Sequence, residues 1–160
     1  MMEGRIIPNM QENEVNNHFS IATSSIRNRS TSILHKKGDY LNKAINYVLF
    51  DSYMHPHLHP GEEKIEKMYL IEGSFALILF NDKGDIDETI TLEKGKREFV
   101  EVPAFTWHTY VMLAHKVIIY ETMEGVYDPC SWKRMAPWAP IEDSHEAKSY
   151  LQMLKKYAKK

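Results

Sequence analysis

Residues 54–73 read MHPHLHPGEEKIEKMYLIEG, three histidines at alternate positions followed by an acidic turn and an apolar strand-like run. In an extended strand residues i and i+2 point to one face, so His57 and His59 project together. Glu66 follows on the neighbouring strand, which Gly73 ends. Further along, VPAFTWH at 102–108 sets His108 behind a Pro-led turn at the head of another strand. Neutral imidazoles and a carboxylate are borderline ligands suited to Fe, Mn, Co, Ni or Zn, and such a set leaves coordination positions open. We expect one divalent transition metal bound by His57, His59, Glu66 and His108.

Around that stretch the chain is a series of short extended segments. Residues 44–53, 67–71, 75–80, 86–92, 98–102, 107–113 and 116–123 are each rich in Val, Ile, Thr, Tyr or Phe, and each is bounded by Gly, Pro, Asp or Asn. NDKGD at 81–85 is a hairpin turn by its chemistry, because Gly84 takes positive φ and Asn81 and Asp82 bond their own backbone. Strands at this spacing, with no helical segment between them, indicate a sandwich or barrel and not a parallel α/β sheet. The chain ends in a helix. Asp143 and Glu146 are spaced as a capping box, and Ala147, Tyr150, Leu151, Leu154 and Tyr157 follow at helical spacing. Lys155, Lys156, Lys159 and Lys160 fall in its last turn, where the helix dipole favours cations. We therefore expect an N-terminal arm at 1–24, a barrel at 25–143 and a C-terminal helix at 144–160, in one domain.

Composition narrows the partners. The 160 residues carry 20 Lys+Arg against 22 Asp+Glu, a formal charge of -2, which argues against nucleic acid, since phosphate binding needs a basic face. One cysteine, Cys130, cannot close an internal disulfide. The start, MMEGRIIPNM, lacks the apolar run of a signal peptide, and the longest apolar run, 75–80, is far short of a membrane span. The expectation is a cytoplasmic protein with a small-molecule ligand and no membrane partner.

Two motifs carry a family resemblance. His57-Leu58-His59, then Glu66 and six residues to Gly73, resembles the first cupin motif, and Pro103 with His108 resembles the second. The stretch from about residue 25 to 154 is similar to the WbuC-type cupin metalloproteins. It shows an Arg-rich segment ending in His (Arg27, Arg29, His35), a Tyr-x-x-Pro-His-x-His run (residues 53–59), Lys64-x-Glu66 and Trp107-His108-Thr109. Glu121 to Pro129 and Ala136-Pro-Trp-Ala-Pro140 complete the pattern. The resemblance implies an all-β cupin-type double-stranded β-helix, a jelly-roll barrel, pairing as a homodimer. It also implies a modified sugar or sugar nucleotide of surface-polysaccharide or O-antigen biosynthesis as the substrate.

Three departures from the motif stand out. Phe105 replaces the usual Gly, so the turn before His108 is expected to be built differently, and Met112 replaces a frequent Asn. The His59–Glu66 gap is longer than usual, which leaves Glu62 and Glu63 as rival ligands, although the distance from Glu66 to Gly73 favours Glu66.

The resemblance also assigns roles outside the metal set. Arg27, Arg29, His35 and Trp138 are candidate substrate contacts, the arginines because a guanidinium pair holds carboxylate or phosphate in two-pronged fashion. His55 and Tyr53 are the candidate catalytic groups, with Tyr69, Tyr110 and Tyr120 as other barrel-lining hydroxyls. Cys130 and His115 are read as inert. The readings of function are a Lewis-acid enzyme such as an isomerase or epimerase, an Fe(II) dioxygenase, a ligand-binding module without catalysis, and a metal that only braces the barrel.

Overall fold

Gly73 shows how the sheets are made. It sits at φ +87° in the turn between two seven-residue strands, and a Cβ there would lie 2.6 Å from the backbone oxygen of Lys116, so only glycine lets the chain reverse at this point. The computed structural model describes residues 7–159. In chain order the elements are α1 (Glu12–Ser24), β1 (Arg29–Ile33), β2 (Leu41–Leu49), β3 (His57–Leu58), β4 (Glu66–Glu72), β5 (Ser74–Phe80), β6 (Ile86–Glu93), β7 (Phe99–Val102), β8 (Trp107–Met112), β9 (Lys116–Glu124), β10 (Arg134–Met135) and α2 (Ala147–Ala158).

The strands form two five-stranded antiparallel sheets, β1-β2-β9-β4-β7 and β10-β3-β8-β5-β6. Their facing sides make the barrel core. Met68 and Leu70 of β4, Phe75 and Leu77 of β5, Tyr110 and Met112 of β8, and Val117 and Ile119 of β9 are all buried there. These positions alternate along their strands, as one inward face requires. The register places Leu79 opposite His108, Leu77 opposite Tyr110 and Phe75 opposite Met112, so His108 belongs to the inward row. Met112 is fully buried, an apolar floor beneath the polar end of the barrel.

A helix covers the outer side of each sheet. On α2, Ala147, Leu151, Leu154 and Ala158 share one face and pack on Ala76, Ile78, Phe80 and Val111 of β5 and β8. On α1, Phe19 packs with Ile45, Tyr47, Ile118 and Tyr120 of β2 and β9, and the His18 ring stacks on Tyr47 with centroids 4.5 Å apart. Among the described residues, no helix is long and apolar enough to cross a membrane.

Several expectations need correction. Over the described part of residues 1–24 the chain is not a loose arm: it forms α1, whose inward residues Val15, Phe19 and Ala22 recur at helical spacing among polar neighbours. Residues 1–6 of the arm, and Lys160 of the basic cluster, lie outside the described residues. The expected strand at 44–53 runs instead from Leu41 to Leu49, because the chain turns at Phe50–Asp51. The capping box at the last helix does not form. Glu146 is the N-cap residue without a side-chain cap, and Asp143 lies before it at φ +63°. Finally, Phe105 adopts φ +60°, so the turn before His108 keeps the left-handed bend that glycine would give. Its N–H donates to the His59 carbonyl oxygen at 3.0 Å, which ties the turn to the strand carrying the histidines and holds a conformation that a bulky side chain disfavours.

Candidate metal centre

Three strands bring the donor set together. β3 supplies His57, with His59 just beyond its end, while β4 supplies Glu66 at its first residue and β8 supplies His108. β3 pairs with β8 so that His57 lies opposite His108. One ligand atom from each of His57, His59, Glu66 and His108 lies within 4.8 Å of all the others, and all four residues are buried. The rivals Glu62 and Glu63 are exposed in the turn after Pro60, outside this group.

Backbone carbonyls fix the rings. His57 Nδ1 meets the His55 oxygen at 2.9 Å, His59 Nδ1 the Trp132 oxygen at 2.9 Å, and His108 Nδ1 the Thr106 oxygen at 2.8 Å. A carbonyl can only accept, so each Nδ1 carries a proton and donates it, which leaves the Nε2 atom of each ring turned inward. At the centre, Glu66 Oε2 stands 2.9 Å from His108 Nε2 and 3.3 Å from His59 Nε2. Three Nε2 atoms converging on one buried carboxylate call for positive charge among them, supplied by protons in the protein alone and by a metal ion when one is bound. The donors, their orientation and their carbonyl supports therefore fit a divalent transition metal.

The electrostatics agree with that reading. Burial first, then the neighbouring His108, holds His57 well below the usual histidine range. Glu66 lies well below the usual carboxylate range because its hydrogen bonds and attraction to His108 and His59 outweigh the opposing effect of burial. A second carboxyl, Glu121 on β9, faces the same interior between Glu66 and Asn46. Burial and the charge of Glu66 push it well above the usual range, so it is the protonated member of the pair.

A cavity of about 240 Å³ reaches one of the four donors, Glu66, with Glu121 also in its lining. Trp132 and Tyr127 form an aromatic wall with ring centroids 5.2 Å apart. His35 also lines this cavity, its Nδ1 held by the backbone of Lys43. The other candidate contacts lie elsewhere. Arg27 and Arg29 both bind the Glu142 carboxylate, at 3.0 and 2.7 Å, and Arg29 donates further to Ser52 Oγ and the Tyr53 carbonyl oxygen. Together they fasten the 140s segment to β1. Trp138 packs outside the barrel against Phe80 and Trp107, over the bare backbone of Gly84.

Of the candidate catalytic groups, Tyr53 points into the layer under α2, where its hydroxyl donates to the Pro140 oxygen at 2.7 Å. His55 sits one step behind the centre. Its Nε2 meets the Ala136 oxygen at 2.7 Å, and its own carbonyl oxygen orients His57. Sequence reasoning missed the cavity's Glu121, Asn42 and Tyr127 as site residues. The available signal was parity, since Val117, Ile119 and Glu121 alternate on β9 and must face one way.

Comparisons with known proteins place this geometry. A sequence profile for the family described as "Domain of unknown function (DUF6016)" matches residues 10–92. No curated protein matches the sequence. Among solved structures, protein SO0799 from Shewanella oneidensis aligns with a TM-score of 0.58 at 12% identity, over 85% of this chain and 87% of that one. The capsular polysaccharide assembling protein CapF from Staphylococcus aureus aligns at 0.55 and 19% identity, over 66% of this chain and 29% of that one. The oxalate decarboxylase of Lactobacillus farciminis aligns at 0.52 and 15%, over 67% and 31%. This chain thus spans under a third of the length of the latter two. The shared fold is the cupin jelly roll.

Proposed function

The chain belongs to the DUF6016 family, and on that footing we propose that it is a WbuC-type metal cupin acting on a small polar or acidic molecule, a modified sugar or sugar nucleotide of surface-polysaccharide biosynthesis. The observation that carries this reading is the buried convergence of His57, His59, Glu66 and His108 beside an open cavity. The likeness to CapF, described as a capsular polysaccharide assembling protein, supports the saccharide side.

When bound, the metal supplies a Lewis acid that polarises a carbonyl, carboxylate or hydroxyl oxygen. The chain's residues do the rest. The carbonyl oxygens of His55, Thr106 and Trp132 hold the imidazoles in one orientation. Glu121 shares the cavity and is the side chain placed to move a proton, in preference to Tyr53, whose hydroxyl is committed to Pro140. The aromatic wall of Trp132 and Tyr127 excludes water from one side of the ligand. We further propose a cytoplasmic homodimer paired through a sheet edge. A sedimentation mass of one chain would contradict the dimer.

The test is incubation of metal-loaded protein with a panel of sugar nucleotides and sugar acids, followed by NMR, with and without oxygen. New product formed anaerobically supports Lewis-acid catalysis. Product that requires oxygen makes the protein a dioxygenase, and binding without product makes it a ligand-binding module.

A further inference from the structure

The cavity holds two buried acceptors that the protein leaves unanswered. Glu121 Oε1 and Asn42 Oδ1 are buried without a hydrogen-bond partner, and both residues line the cavity that reaches Glu66. Asn42 is 7% exposed, and its amide nitrogen is already used on the carbonyl oxygens of Met123 and Gly125, which fixes the amide so that Oδ1 accepts. In the β2–β9 register Asn42 pairs with Met123 and Ala44 with Glu121, so Asn42 and Glu121 are diagonal neighbours on one face, about 7 Å apart. Buried acceptors are ordinarily satisfied, and two in one cavity call for a ligand that brings donors.

The size of the cavity limits what that ligand is. At about 240 Å³ the cavity has room for a ligand of sugar-ring size, and because it is open to solvent a larger substituent would extend outside it. Trp132 and Tyr127 add the apolar surface that a sugar ring's C–H face packs against.

We propose that this cavity is a monosaccharide-sized subsite in which hydroxyls of the ligand donate to Asn42 Oδ1 and Glu121 Oε1 while the ring lies against Trp132. The proposal rests on the metal-cupin reading above and sharpens it: the recognised unit is a single polyhydroxylated ring, and any nucleotide attached to it projects past Tyr127.

The test uses Co(II)-loaded full-length protein and two probes. Acetohydroxamate reports on the open metal position through the visible Co(II) spectrum, and D-galacturonate reports on the subsite by competing with it. Galacturonate is expected to displace acetohydroxamate from the wild type. Trp132→Leu is expected to weaken galacturonate about tenfold with acetohydroxamate affinity and metal content unchanged; Glu121→Leu is expected to weaken galacturonate about tenfold relative to its own acetohydroxamate affinity, and Glu121→Gln to retain most of the affinity. Trp132 lies outside the barrel core, so its variant keeps the test valid should Glu121→Leu fold poorly. If acetohydroxamate binds and galacturonate does not compete, or competes equally in all variants, the subsite is refuted while the metal centre stands. If acetohydroxamate itself leaves the spectrum unchanged, the open metal position is refuted and the subsite falls with it.

Discussion

The two perturbed groups at the centre, His57 and Glu121, should act on stability in opposite directions, and acid unfolding of the chelated protein can separate them. His57 has its folded pKa lowered below the ordinary 6.5, so below pH 6.5 the unfolded chain holds a proton that the fold does not, and stability falls as pH falls. Glu121 has its folded pKa raised above the ordinary 4.5, so above pH 4.5 the fold holds a proton that the unfolded chain does not, and stability falls as pH rises. Each unmatched proton tilts the free energy of unfolding by about 1.4 kcal/mol per pH unit. While His57 stays neutral and Glu121 stays protonated in the fold, the two slopes cancel between 4.5 and 6.5 and the wild type shows a plateau. Below 4.5, Glu121 is protonated in both states and drops out, whereas Glu66, lowered in the fold, joins His57. The slope there becomes about 2.7 kcal/mol per pH unit from these two groups. Glu121→Gln should unmask His57, with stability rising about 2.7 kcal/mol from pH 4.5 to 6.5, and His57→Gln should show a fall of similar size. Urea unfolding followed by tryptophan fluorescence in EDTA measures both. A wild type that loses about 1.4 kcal/mol per unit as pH falls through the window would show Glu121 ionised in the fold. A flat profile for Glu121→Gln would show that His57 is not a buried neutral imidazole.

Other substitutions test the scaffold. Gly73→Ala forces a Cβ to within 2.6 Å of the Lys116 oxygen at φ +87° and should cost about 3 kcal/mol or more by thermal denaturation; a cost below about 1 kcal/mol would mean the turn is less constrained than it looks. Phe105→Gly and Phe105→Ala both remove the ring but only glycine relieves φ +60°, so the Gly variant should be the more stable by about 1 kcal/mol, and equal stabilities would refute the strain. Leu154→Ala opens a void under α2, where Leu154 is fully buried; it should cost about 2–5 kcal/mol in urea unfolding while leaving metal content unchanged.

The barrel and the four donors were legible because their signals are local. His57 and His59 need only strand parity to share a face, and Glu66 and His108 each stand at a turn that a glycine or proline marks. Trp138 was misplaced for a physical reason: an aromatic near a proline-rich loop looks the same whether it lines a mouth or fills a gap, and only the missing side chain at Gly84 creates the gap it fills. Arg27 and Arg29 read as substrate contacts in the sequence; in the fold both bind the chain's own Glu142, more than a hundred positions away, and no periodicity announces such a pairing. α1 escaped notice because its buried residues are few among polar ones, and its stability comes from packing on Tyr47 and Ile118. Glu121 was readable as an acidic residue in an inward-facing row and as the first residue of the Glu121–Pro129 stretch, and neither signal names a role at the site.

The most direct test of the account is the metal content of the purified protein. Elemental analysis of wild type isolated without chelator should give one transition-metal ion per chain, and His57→Ala and His108→Ala should lose it while remaining folded by circular dichroism. A wild type that neither carries nor takes up a divalent metal on titration, or variants that keep it, would contradict the assignment of His57, His59, Glu66 and His108 as a metal centre.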